Sequence, residues 1–217
     1  MVAASIAVAG HAAEHSYPSR PIRMLVGFTP AGPTDLTARM AAQHLTETLG
    51  QPVIVDNRPG GGGTLASITL ARAEPDGYTI SLGSSGEMAI GPSLRTKSPY
   101  DPVKDFTAIT RLGSGQLVLL VPPGSAAKTT AELIAVAKAK PGAINFASSG
   151  NGSTAHLSAE LFKHLAAIDI VHVPYKGAGP ALTDLMSAQV QMLITGFSGA
   201  VGHLKSGKLR ALGFTGT

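Results

Sequence analysis

The sequence predicts an α/β protein of two lobes, each a largely parallel sheet flanked by helices, with a cleft between them. Three observations carry this. Eight short apolar runs alternate with segments of helical period, the pattern of parallel strands covered on both faces. The stretch from residue 98 to about 123 is extended, punctuated by Pro and Gly, and has no helical period. Three strand–helix units precede that stretch and about four follow it, a layout that suits two sheets better than one.

The elements follow in chain order. "MVAASIAVAGHAA" is small and apolar and gives way to the polar "EHSYPSRP". Residues 1–16 therefore read as a signal-peptide remnant lacking a basic start, and imply export to the periplasm. The first strand is expected over 22–27 and the first helix over 34–49, where Ala38, Ala41, Ala42, Leu45 and Leu49 share one face. Strands are expected at 53–55 and 78–82, separated by "DNRPGGGGTLAS". That run lacks the Lys-Ser/Thr ending of a phosphate loop and reads as a flexible turn. After the connector come a strand at 117–121 and a helix at 129–139, which opens on Thr129-x-x-Glu132, a capping box, and stops at Pro141-Gly142. A strand at 144–146 leads to a helix at 153–166, with Leu157, Leu161, Phe162 and Leu165 as its expected buried stripe. Strands at 170–173, 191–194 and 209–214 and a helix at 180–187 complete the set. "AGPTDL" at Ala31 is echoed by "AGPALTDL" at Ala178, and both read as helix starts with Gly at the cap and Pro at the first helical position. The expected division is 17–113 for lobe 1, 114–210 for lobe 2, and 211–217 as the start of a crossover back to lobe 1.

Composition narrows the function. Aromatics are 5% with no Trp, too few for a protein that stacks bases, and the 17 Lys and Arg are scattered, so no nucleic-acid partner is expected. There is no Cys, which excludes disulfides, thiolate metal sites and Cys nucleophiles. The seven His show no close metal-ligand spacing, so neither metal nor cofactor is expected. No run after the N-terminus reaches the roughly 18 apolar residues of a membrane span.

The chemistry sits at the turns. In open α/β sheets ligands lie beyond the carboxyl ends of strands, where helices begin. A helix start carries unpaired N–H groups and partial positive charge, so it holds a carboxylate or phosphate without a cationic side chain. In "GFTPAGPTD", Gly32 permits close approach, Pro33 fixes the first turn, Thr34 adds a hydroxyl, and Asp35 caps the N–H groups or orients the loop. "NFASSGNGSTAHLSAELF" makes a second cradle from Ser148, Ser149, Gly150, Asn151, Gly152, Ser153 and Thr154. His156, in the first turn of that helix, is placed to hydrogen-bond as a neutral imidazole, because the dipole there disfavours positive charge. "LGSSGEMA" at 82–89 follows a strand and is placed to meet a ligand's distal end. Each turn also makes sense as a capped helix start without a ligand. Neither "LGSSGEMA" nor "GFSGA" matches the G-x-S-x-G elbow of a hydrolase. His172, in an apolar strand, reads as a core or rim residue.

Six segments, "YPSRPIRMLVGFTPAGPTDLTAR", "LGQPVIVDNRPGGGGTLAS", "ARAEPDGYTISLG", "YDPVKDFTAIT", "PGAINFASSGNGSTAHLSAELF" and "VHVPYKGAGPALTDLMSAQVQM", resemble, in order and spacing, the Bug-type solute-binding proteins of tripartite tricarboxylate transporters. The resemblance spans Tyr17 to about Phe214. It implies a periplasmic-binding-protein type II-like fold, a monomer that closes on a small carboxylate and hands it to membrane permease subunits. In that family the carboxylate is held mainly by backbone amides, hydroxyls and ordered water from the first and fifth strand–helix turns. Carried over by position, Phe28, Ala31, Gly32, Thr34 and Asp35 form the first loop, and Ser148, Ser149, Gly152, Ser153, Thr154 and His156 the second. Ser84, Ser85, Phe197 and Ser198 line the cleft, and Tyr175 and Lys176 shape its rim or serve folding.

The sequence departs from the family in three places. Ala31-Gly32 stands for the usual Gly-Gly, and Ala188-Gln189-Val190-Gln191 for Gly-Gln-Val-Asp, which removes an acid. The family also continues well beyond "LRALGFTGT", so the chain is expected to be a C-terminally truncated form whose first lobe is incomplete and exposes apolar surface. The favoured expectation is reversible capture of a dicarboxylate, tricarboxylate, amino acid or aromatic acid, without catalysis. The alternative is a hydrolase- or transferase-like enzyme with an oxyanion site at a helix start and His156 as base. A signalling role for the closed form is a third reading.

Overall fold

The computed structural model describes residues 17–216; the expected signal-peptide remnant lies outside them, as does Thr217. The first sheet comprises β1 (Ile22–Val26), β2 (Val53–Asn57) and β3 (Thr79–Leu82), in the order β2-β1-β3, all parallel. Its helices are α1 (Pro33–Leu49) and α2 (Thr64–Ala71), and a π-helical turn (Gly86–Ile90) runs into the short α3 (Gly91–Ser93). The second sheet comprises β4 (Leu117–Val121), β5 (Asn145–Ser148), β6 (Val171–Pro174), β7 (Met192–Gly196) and β8 (Arg210–Phe214), in the order β6-β5-β7-β4-β8. Around it lie α4 (Thr130–Ala139), α5 (Thr154–Ala166), α6 (Ala178–Met186) and α7 (Phe197–Lys205).

β5 pairs in parallel with β6 and β7, but β4 runs antiparallel to both β7 and β8. β4 is reached by the extended connector rather than a crossover helix, so nothing forces it parallel. Its alternation divides the core. Val118 and Leu120 pack with Leu182, Leu185 and Leu193 on one face, while Leu119 and Val121 pack with Leu133, Phe146 and Met192 on the other. The first sheet buries Ile22, Met24 and Val26 against Ala38 and Ala42 of α1.

Local signals set the helix ends. Thr129 accepts from the Glu132 N–H, and the Glu132 side chain reaches back to the Lys128 N–H. α5 corrects half of one expectation: Phe162 packs on the core and Leu157 is half-buried, but Leu161 and Leu165 are 57% and 75% exposed, and Ala155 and Ala159 are the fully buried residues of that face. Small side chains let the helix lie close on the sheet, and Leu161 and Leu165 turn outward. α6 corrects another. It begins at Ala178 with Gly177 as N-cap, so Pro180 lies in the third helical position rather than the first. Among the described residues no helix is long and apolar enough to cross a membrane.

Candidate functional site

The turn between β1 and α1 is shaped by Asp35. This carboxylate is 1% exposed and accepts from the Ala31 N–H (3.0 Å), Arg39 Nε (2.9 Å) and Asn57 Nδ2 (2.9 Å). Burial opposes its ionisation, but the hydrogen bonds from Arg39, Asn57 and Ala31 outweigh that and hold the carboxyl below its ordinary range. Both oxygens are therefore engaged, and Asp35 orients the loop. Asn57 also donates to the carbonyl of the buried Phe28. Gly32 is the N-cap of α1 and Pro33 its first residue, and no side chain caps the N–H groups that follow. Thr34 is half-buried beside them. This helix start keeps its positive end available.

The turn between β5 and α5 is held from behind. The Ser148 hydroxyl is fully buried, lies 2.6 Å from His172 Nε2, and accepts from the Gly150 N–H at 3.1 Å. His156 Nδ1 accepts from the Gly152 N–H at 3.3 Å, so that nitrogen carries no proton. Its ring stacks on His172 at 4.1 Å, and His172 stacks on Phe146 at 4.8 Å. Burial, aided by the neighbouring His156, pushes the His172 pKa down to about 4. Ser153 caps α5 by accepting from the His156 N–H, while Ser149 and Thr154 are half-buried at the turn.

The remaining candidates are split. Ser84 is committed to Glu87 through both its N–H and its hydroxyl, whereas Ser85 is exposed at the start of the π-helical turn. Phe197 and Ser198 are exposed at the start of α7, with Phe197 edge-on to Phe214.

All these turns lie on one seam between the two sheet units, but the pairing is crossed. The β1–α1 turn meets the turns that open α6 and α7: Thr29 N–H donates to the Lys176 carbonyl at 3.3 Å, and Pro33 packs against Gly196 and Gly199. The β5–α5 turn instead meets the glycine run 60–63 and the β3 turn; a Cβ on Gly62 would stand 3.2 Å from Ser153 N, and one on Gly86 2.8 Å from Thr154 N. Two open surface grooves, one between α1 and β2 and one around the 98–105 segment, contain none of the candidate residues. The seam is better equipped for an anion, because helix starts and hydroxyls converge there.

A sequence profile described as "Tripartite tricarboxylate transporter family receptor" matches residues 37–217. Protein BugT of Bordetella pertussis is 43% identical over 211 residues, covering 95% of this chain and 65% of BugT. The chain belongs to the tripartite tricarboxylate transporter receptor family. Rpa4515 of R. palustris, solved with adipate, superposes with a TM-score of 0.88 at 35% identity, over 92% of this chain and 67% of its own. MatC from Rhodopseudomonas palustris with bound malate gives 0.88 at 34% identity, over 93% and 68%. The chain thus spans about 65% of the length of BugT.

Within this receptor fold, sequence reading missed two features of the seam. The glycine run is structural: residues 60–63 have φ of 142°, 59°, 67° and 102°, and a Cβ on Gly63 would stand 2.7 Å from Glu87 Oε2. Only glycine takes that backbone with neighbours so near, and four glycines in succession were the available signal. Glu87, buried beneath them, left none. His172, expected in the core or on the rim, is half-buried on the edge strand β6 against Phe146, and through Ser148 it also supports the turn that carries Gly150.

Proposed function

We propose that this receptor captures a small carboxylate in the seam, reversibly and without bond chemistry, and delivers it in the periplasm to the permease subunits of a tripartite tricarboxylate transporter. The observation that carries this is the uncapped start of α1 on the same seam as the hydroxyl- and glycine-lined start of α5. Helix starts of this kind hold carboxylates without cations. Relatives solved with adipate and malate support an acid ligand. On this reading, lobe 1 supplies the 28–35 loop with Ser84 and Ser85. Lobe 2 supplies 148–156 with Phe197 and Ser198. The engaged state of the Asp35 carboxylate, of the His156 Nδ1 and of both Ser84 donors gives these groups supporting roles, and leaves the other backbone N–H groups and hydroxyls to meet the ligand.

Thermal unfolding with adipate or malate, against their uncharged diamides, tests this. A one-site acid ligand at a hundredfold excess over its Kd is expected to stabilise the chain by about 2.7 kcal/mol. A panel of mono-, di- and tricarboxylates that left the transition unmoved would end the proposal.

A further inference from the structure

Two carboxylates are 1% exposed among the described residues, Asp35 and Glu87. Arg39 pairs with Asp35. Glu87 has hydroxyls and one N–H instead: Ser67 Oγ donates to Oε1 (3.2 Å), and the Ser84 N–H (3.2 Å) and Oγ (3.1 Å) donate to Oε2. Gly63 lies against the carboxyl, and the Tyr100 hydroxyl donates to the Glu87 carbonyl. Glu87 is therefore hydrogen-bonded to α2 and to the β3 turn, and its carboxyl packs against the glycine run at Gly63. The glycine run and the β3 turn are the two lobe-1 segments that touch the start of α5, through Gly62 and Gly86.

We propose that Glu87 is a positioning residue of the carboxylate site: protonated, it clamps the glycine run and the β3 turn against the start of α5, and on losing that proton it releases them and weakens capture of the acid. The proposal rests on the reading that the seam takes a carboxylate. Protonated, Oε1 donates to Ser67 Oγ while Oε2 still accepts from Ser84. Ionised, the carboxylate is buried with only neutral donors, and opening the turns to water relieves it. It also adds negative charge beside the anion site. Burial pushes the Glu87 carboxyl up to about 7, against the hydrogen bonds from Ser84 and Ser67 that favour the ionised form. The groups facing it are Ser67 from α2, Ser84 from the β3 turn and Tyr100 from the connector. Arg95 approaches the glycine run at Gly61, and α5 presents the uncharged Ser153 and Thr154, with His156 occupied by Gly152.

Hydrogen exchange of the ligand-free protein at residues 61–64 and 84–87, corrected for intrinsic pH dependence, tests the clamp. Between about pH 5.5 and about pH 8.5, opening of these segments is expected to rise by at least about tenfold in the wild type and to stay flat in Glu87→Gln. Flat protection in the wild type, or an unchanged pH response in E87Q, overturns the proposal. Should E87Q fail to fold, Ser67→Ala costs the ionised form a charge-assisted donor and the protonated form only a neutral acceptor, and is therefore expected to move the midpoint to higher pH; an unmoved midpoint counts against it. In a second arm, adipate and malate are expected to bind the wild type more weakly at the higher pH and E87Q equally at both. Exchange that responds while neither acid binds overturns the capture reading and keeps the clamp; acid binding with flat exchange overturns the clamp alone.

Discussion

Ala31 sits at φ 65°, in the left-handed region, a conformation that costs an L residue roughly 1–2 kcal/mol. It holds that geometry because its N–H is tied to Asp35. Glycine adopts the same backbone without the steric penalty, at the cost of a more flexible unfolded chain. Ala31→Gly is therefore expected to raise stability by about 0.5–1 kcal/mol in urea unfolding; a loss would show that the exposed methyl contributes packing the structure does not reveal. His172 gives a second residue-scale expectation. Its pKa is lowered in the fold, from 6.5 to about 4, so the unfolded chain binds the proton more readily between those values. The His172 contribution to stability is full above pH 6.5 and is lost as the pH falls toward 4. His172→Gln is expected to remove that rise, so that the unfolding midpoint falls as the pH goes from 4.5 to 6.5, under Glu87 alone. Glu87 acts with the opposite sign: its raised pKa makes stability fall as pH rises from 4.5 through about 7. The two slopes oppose one another in the overlap, so the wild-type profile alone does not reveal either group.

The elements differ in how far residue order foretold them. Strands such as β4, a run of Leu and Val between Pro and Gly, and helices opening on Gly32-Pro33 or Thr129-x-x-Glu132, carry their own start and stop signals. α2, the π-helical turn and α7 went unread, because each is short and mixes Gly, Ser or Thr into its first turn, and the Phe197, Ala200, Val201 and Leu204 stripe of α7 spans only about two turns. Even where the period was right, the buried face of α5 was only half right, with Phe162 on the core but Leu161 and Leu165 outside it, since leucine outranks alanine in any hydrophobic count while proximity to the sheet favours alanine. Gln191 shows the same limit at a departure from the family. Its side chain accepts from the Asn145 N–H and donates to the Ala188 carbonyl, closing the turn into β7 without an acid. The candidate turns were legible because glycine, proline and hydroxyls cluster beyond strand ends. Their partners across the seam were not, because contacts between distant segments leave no local period.

At the scale of the whole molecule, the seam is held by backbone meeting backbone, and Gly177 is where that is most easily tested. A Cβ there would stand 2.7 Å from Thr29 N, and nearer still to Thr29 Oγ1, a buried hydroxyl without a hydrogen-bond partner among the described residues. Gly177 itself is extended, at φ 164°, so alanine fits its backbone and the damage falls on the contact between units alone. Gly177→Ala is expected to leave the circular dichroism unchanged and to increase the radius of gyration in small-angle scattering as the seam opens. If the closed form is the one that binds, a tenfold fall in its population weakens adipate or malate binding by about tenfold. The equivalent change at Gly62 is less clean, because its φ of 67° strains alanine in any conformation of the molecule. An alanine at 177 that left both size and affinity unaltered would mean that the β1–α1 and β6–α6 turns rest together without governing closure. The gripping surfaces would then have to be sought along the other half of the seam, where the glycine run meets the start of α5.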